Sequence, residues 1–127
     1  DLATDEMEVG IGIHGEPGVE RTKVQSASDI TATLAERVLS DLPFEAGDRV
    51  AVMVNGMGAT PLMELQVVNK ELQAILRERQ LEVVDTWVGE YMTSLDMAGF
   101  SITLLKLTGE LEKYLFAPAD TVAVKRG

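Results

Sequence analysis

Val50-Ala51-Val52-Met53-Val54-Asn55-Gly56-Met57-Gly58-Ala59-Thr60-Pro61-Leu62 passes from an apolar run, through a glycine loop, into a helical pattern. Val50 to Val54 is nearly continuously apolar, the signature of an interior strand. Asn55 to Ala59 is the loop that follows it. Thr60 is a good N-cap, and proline at the first helical position loses no needed hydrogen bond, so the longest helix is predicted to open at Thr60-Pro61. Leu62, Leu65, Val68, Leu72, Ile75 and Leu76 keep helical spacing to about Arg79, and Arg77 and Arg79 suit the negative end of the helix. A strand, a short loop and an amphipathic helix in this order are the unit of an α/β domain. The loop itself is an ordinary connection in the plainer reading, and a backbone N–H cradle for an anion or polar ligand in the sharper one.

Working outward, Leu81 to Val88 and Phe100 to Leu107 read as two further strands. The eleven residues Gly89 to Gly99 between them exceed what a tight hairpin needs, so this is a candidate working loop. Its Glu90 and Asp96 are acid–base candidates, although their spacing does not separate them from turn formers. A short helix from about Glu110 to Phe116 stops before Pro118, and Thr121 to Val124 is a candidate edge strand. Towards the N-terminus, Ser26-Ala27-Ser28-Asp29 offers helix N-caps, with Ile30, Leu34, Val38 and Leu39 as the buried stripe before Pro43. Thr22 to Val24 is a short extended piece. Glu6 to His14 alternates Met7, Val9, Ile11 and Ile13 with Glu8, Gly10, Gly12 and His14, which predicts a strand with its apolar set facing the core. Gly15-Glu16-Pro17-Gly18 must turn. The expected fold is α/β: a two-layer single domain over 1–127, with a mixed β-sheet of about five or six strands and helices mainly on one face.

Composition narrows the chemistry. The 127 residues (13.8 kDa) carry 21 Asp and Glu against 11 Lys and Arg, a formal charge of −10, which repels phosphate backbones and anionic lipid and disfavours nucleic-acid or membrane binding. There is no cysteine, so disulfides, thiolate nucleophiles and cysteine metal sites are excluded, and with a single histidine so is a multi-histidine metal site within one chain. No apolar run approaches the roughly 20 residues that span a bilayer. The acidic start, without initiator Met or signal pattern, leads us to expect a piece of something longer. The six Met residues are scattered and read as core filler.

That one imidazole, His14, is the candidate reactive group. Four of the eleven glycines fall between residues 10 and 18, around it. An exposed histidine in a tight turn is the plain reading. The sharper one is an imidazole whose neighbours are stripped of bulk so that a small ligand reaches it, as base, hydrogen-bond partner or nucleophile, with Glu16 able to orient the ring. Gly10-Ile11-Gly12-Ile13-His14-Gly15 formally matches the dinucleotide fingerprint, but Glu16-Pro17-Gly18 follows where a helix N-terminus is required, so a nucleotide site is rejected.

Glu8-Val9-Gly10-Ile11-Gly12-Ile13-His14-Gly15-Glu16-Pro17-Gly18 closely resembles the dihydroxyacetone kinase family. Two further blocks agree in the same order: Asn55 to Leu65, and Glu90 to Lys106. Glu20 to Gly47 and the tail after Ala119 match weakly and leave the subgroup open. The resemblance is to the C-terminal part of the dihydroxyacetone-binding subunit. It implies that His14 forms a covalent hemiaminal with the substrate carbonyl, and that the residues hydrogen-bonding the substrate and serving as acid–base lie in an N-terminal domain of the same subunit. It further implies that this domain binds no cofactor: the phosphoryl donor lies elsewhere, as ADP on a nucleotide-binding subunit of a phosphotransferase-system-dependent enzyme, or as ATP with Mg on a fused domain. Cytoplasmic homodimers are expected, as is a fragment that folds without kinase activity. Some family members bind dihydroxyacetone without phosphorylating it and act as sensors for a transcription factor, and the resemblance implies that His14 is retained in either case and does not separate the two.

Overall fold

The computed structural model describes residues 2–127. Its centre is a three-stranded mixed sheet in the order β4-β3-β5, formed by β3 (Arg49–Gly56), β4 (Glu82–Gly89) and β5 (Phe100–Lys106). β3 pairs parallel to β4, through the right-sized crossover that helix α2 (Leu62–Glu78) provides, and antiparallel to β5. Strand alternation sends Val50, Val52 and Val54 to the helical side, where they are almost fully buried with Leu65, Leu72 and Leu76 of α2 and Leu104 of β5. At a site as closed as Leu72, truncation to alanine costs about 2–5 kcal/mol. A bulge between Val50 and Ala51 shifts the register against β4, skipping Val84. That single extra residue reverses the parity of β4, so Val83 and Val88, five positions apart, both reach the core.

Helix α1 (Ala27–Asp41) packs beside α2 on the same side of the sheet. Ser26 caps it as expected, its hydroxyl accepting the Asp29 N–H at 3.1 Å. The buried face is Thr31, Ala35 and Leu39, with Ile30, Leu34 and Val38 only half-buried beside it. The predicted stripe is therefore turned by one residue. Thr31 tolerates full burial because its hydroxyl donates to the Ala27 carbonyl at 2.6 Å.

On the opposite side of the sheet, Ala51, Met53, Thr103 and Leu105 lie under Leu115, at the end of the short α3 (Gly109–Leu115). Arg49 ties α3 down with two bonds to Glu112, at 2.9 and 2.7 Å, and also bonds Glu82. The Arg49 guanidinium in turn holds the Glu112 carboxyl below the usual carboxylate range.

The α/β class, the mixed sheet and helices α1 and α2 on one face agree with the sequence reading. The strand count differs: three strands make the central sheet, and four more form two separate antiparallel ribbons. One ribbon is β1 (Glu6–Val9) with β2 (Glu20–Lys23); the other is β6 (Ala119–Asp120) with β7 (Lys125–Arg126). Thr121 to Val124, read as a strand, is the turn of this second hairpin, closed by the Thr121 N–H to Val124 carbonyl bond at 2.9 Å. No helix among the described residues is long and apolar enough to cross a membrane.

Candidate functional site

β1 stops at Val9, not at His14. Gly10 has φ +79°, which an extended strand does not allow, and the alternation beyond it no longer points anywhere useful: Ile11 and Ile13 are exposed. His14 consequently sits at the tip of the loop joining β1 to β2, with 87% of its side-chain surface exposed.

Two carboxylates give that loop its shape. At the tip, Glu16 folds back: its Oε2 accepts the His14 N–H at 3.0 Å, and its Oε1 lies 3.5 Å from His14 Nδ1. The Gly12 N–H donates to the Glu16 carbonyl at 3.0 Å, and the Gly15 N–H to the Gly12 carbonyl at 3.1 Å. A Cβ on Gly12 would stand 2.0 Å from Glu16 Oε2, so only glycine leaves space for this carboxylate. At the base, Glu8 Oε1 accepts the Gly18 N–H at 2.6 Å, and the Val19 N–H donates to the Val9 carbonyl at 2.9 Å. Arg21 balances Glu8 at 3.3 Å. The ribbon is tied to α1 through Arg37 and Glu20, 2.5 Å apart.

A second glycine region lies at the end of the central sheet. Asn55, 2% exposed, spends most of its amide on the long loop: Oδ1 accepts the Tyr91 and Met92 N–H groups at 2.8 and 2.9 Å, and Nδ2 donates to the Met92 carbonyl at 2.7 Å and to the Ser101 hydroxyl of β5 at 3.4 Å. The Met57 N–H donates to the Gly99 carbonyl at 3.1 Å and the Ala59 N–H to the Met97 carbonyl at 3.2 Å. These two donors are occupied, so at Met57 and Ala59 the loop from Asn55 to Pro61 works as a joint to the segment that ends at Gly99. Thr60 likewise does not cap α2. Its hydroxyl donates to the Gly99 carbonyl at 2.7 Å, and Pro61 takes the cap position with no side-chain bond.

Glu90 and Asp96 are both exposed in this second region, and no hydrogen bond or ion pair among the described residues connects them to the His14 loop. The methionine reading is corrected: Met63, Met92 and Met97 are exposed, and Leu95 at the loop tip is 98% exposed. Two features escaped the sequence. Asn55 looked like the first loop residue, although a polar side chain directly continuing a buried run is the signal of a structural amide. The other is a clasp in which Arg126 donates to Asp85 at 2.6 Å and to the Leu115 carbonyl at 2.8 Å, and lies over the Phe116 and Trp87 rings. Burial opposes ionisation of Asp85, but Arg126 and the Trp87 indole N–H outweigh it and hold the carboxyl below its ordinary value. Among the described residues no three histidine, cysteine, aspartate or glutamate side chains converge as a metal-ligand set.

The Dak1 domain model matches residues 1–123. This chain is a member of the Dak1 family. The Dak1 domain here is 49% identical, over 97% of its length, to the PTS-dependent dihydroxyacetone kinase 1, dihydroxyacetone-binding subunit DhaK, of Listeria innocua, of which it spans 38%. It is 50% identical over 95% of its length to the D-erythrulose kinase of Mycolicibacterium smegmatis, spanning 21% of that protein. Among solved structures it resembles the dihydroxyacetone kinase operon co-activator Dha-DhaQ, with a TM-score of 0.85 at 35% identity over 93% of this chain and 37% of that one.

Proposed function

We propose that this Dak1 domain supplies the covalent substrate anchor of a dihydroxyacetone kinase, with His14 as the catalytic nucleophile. The observation that carries the reading is the posture of His14: the chain's one imidazole stands clear of the fold, at the tip of a loop held by its own backbone and two carboxylates. A neutral ring nitrogen adds its lone pair to the ketone carbon, the carbonyl π pair moves to oxygen, and that oxygen takes up a proton as the ring gives one up. The product is a hemiaminal whose mass is the sum of its parts. An alcohol such as glycerol has no carbonyl and cannot react, so the bond selects ketoses over polyols more sharply than hydrogen bonding does. It also fixes the terminal hydroxyl for phosphoryl transfer.

The kinase and erythrulose-kinase relatives support a short ketose as substrate, dihydroxyacetone in the first instance. The general acid–base groups are assigned to an N-terminal domain of the same subunit. The phosphoryl donor is assigned to a nucleotide-binding subunit or an ATP domain with Mg, and the working protein to a cytoplasmic homodimer. On this reading the 127-residue chain folds but does not phosphorylate. Similarity to the co-activator supports a second reading, in which the same hemiaminal reports dihydroxyacetone to a transcription factor without turnover.

The deciding experiment is intact-mass analysis of the full-length protein after trapping with dihydroxyacetone, erythrulose or glycerol. Addition of the whole ketose mass is expected with the first two and none with glycerol, and His14→Ala should remove it. An adduct that survives His14→Ala overturns the nucleophile. Formation of dihydroxyacetone phosphate in the presence of the donor subunit excludes the pure sensor.

A further inference from the structure

We propose that Glu16 is the positioning residue of the His14 ring, holding it as the Nδ1–H tautomer and so leaving Nε2 the bare nitrogen. Glu16 is not free to wander. Its Oε2 is pinned on the His14 N–H at 3.0 Å, which carries Oε1 to 3.5 Å from Nδ1 of the same residue. A carboxylate only accepts hydrogen bonds. A proton on Nδ1 meets it favourably, whereas a bare Nδ1 would set a lone pair against a negative oxygen. Neutral imidazole in water prefers its proton on Nε2, so the carboxylate reverses the ordinary balance, in the way a second group fixes the tautomer of catalytic and metal-bound histidines.

Gly12 belongs to the same device. Its missing side chain is the space that Glu16 Oε2 occupies, since a Cβ there would come within 2.0 Å. The spacing of glycine, histidine and glutamate at positions 12, 14 and 16 therefore has one explanation: room, ring and orienting charge.

The chemical consequence rests on His14 being the nucleophile. When the Nε2 lone pair bonds to the carbonyl carbon and the π pair moves to oxygen, the ring becomes an imidazolium that still carries its Nδ1 proton. Glu16 faces that new positive charge. Loss of the Nδ1 proton and protonation of the alkoxide oxygen then leave a neutral hemiaminal, with no other reactant required.

The test needs no ligand. Because the chain has one histidine, ¹⁵N-histidine labelling gives a single imidazole whose two nitrogen shifts report the tautomer directly. At alkaline pH, where the ring is neutral, the wild-type chain should show a protonated Nδ1 and a bare Nε2 as the major form. Glu16→Ala should move the ratio towards Nε2–H by about two- to fivefold, the range of an exposed charge contact. Gly12→Ala should move it in the same direction with Glu16 intact, by expelling the carboxylate. Should Glu16→Ala fail to fold, Glu16→Gln replaces it, since the amide oxygen still accepts the His14 N–H while the charge is gone. A wild-type ring that is mainly Nε2–H, or a ratio unmoved by these variants, overturns the assignment. The two proposals fail separately: an adduct on a ring whose tautomer ignores Glu16 removes only this one, and the expected tautomer with no adduct removes only the nucleophile.

Discussion

The two glycine regions of this domain solve opposite problems. Around Asn55, a buried amide satisfies three backbone groups of the long loop and locks the start of that loop onto the end of the sheet. Around His14, backbone groups are satisfied by the carboxylates of Glu8, largely buried at the base of the loop, and of Glu16, exposed at its tip. Buried amide bonding stabilises, because the alternative is an orphaned donor in a dry site. Exposed carboxylate bonding stabilises far less, but it leaves the imidazole free of the fold. One region is built to hold, the other to present.

The sharpest way to break this contrast is to exchange the consequences. His14→Ala should abolish ketose addition completely while shifting unfolding by no more than about 0.5 kcal/mol, as befits an exposed side chain. Intact mass and a thermal melt read the two effects. Asn55→Leu should do the reverse, costing about 3 kcal/mol in denaturant unfolding by stranding the Tyr91 and Met92 N–H groups. The full-length protein carrying it should still accept ketose at low temperature, where it remains folded. A large loss of stability from His14→Ala would erase the distinction between the two regions.

A smaller effect sharpens the comparison by adding a half-buried ion pair. Arg126→Ala opens the clasp at Asp85 and should cost about 1–2 kcal/mol near neutral pH. Asp85 has a carboxyl held below its ordinary value, so its contribution is present above the unfolded carboxylate range, about pH 4, and is lost as pH falls further. The stability gap between wild type and Arg126→Ala should therefore close in acid, as followed by urea unfolding at pH 7 and pH 3. A gap of the same size at pH 7 and pH 3 would assign the clasp to ring packing over Trp87 and Phe116 instead of charge.

The β3–α2 unit was legible because both of its periods are long and unambiguous: Val50 to Val54 as a strand, and Leu65, Val68, Leu72 and Leu76 on one helical face. The Glu6–His14 reading overran for a definite reason. The apolar alternation continues to Ile13, but a hydrophobic pattern carries no information about φ, and Gly10 turns the chain. Strand count failed similarly, since β1 and β2 have the local character of strands and nothing local says that they pair only with each other. Thr60 has the chemistry of a cap and spends it on Gly99, 39 residues away by loop geometry no spacing rule contains. His14 was found by counting and by its block of neighbours. The posture of Glu16 was only suggested, because it depends on where its carboxylate finds room.

Nearly every bond that shapes the His14 loop is made within residues 8–19. Its geometry is thus a local inheritance, carried by a dozen consecutive residues instead of being assembled from distant parts. A stretch so self-sufficient can be moved: set on another two-stranded ribbon of matching width, it takes its glycine space, its glutamate and its imidazole along as one cassette.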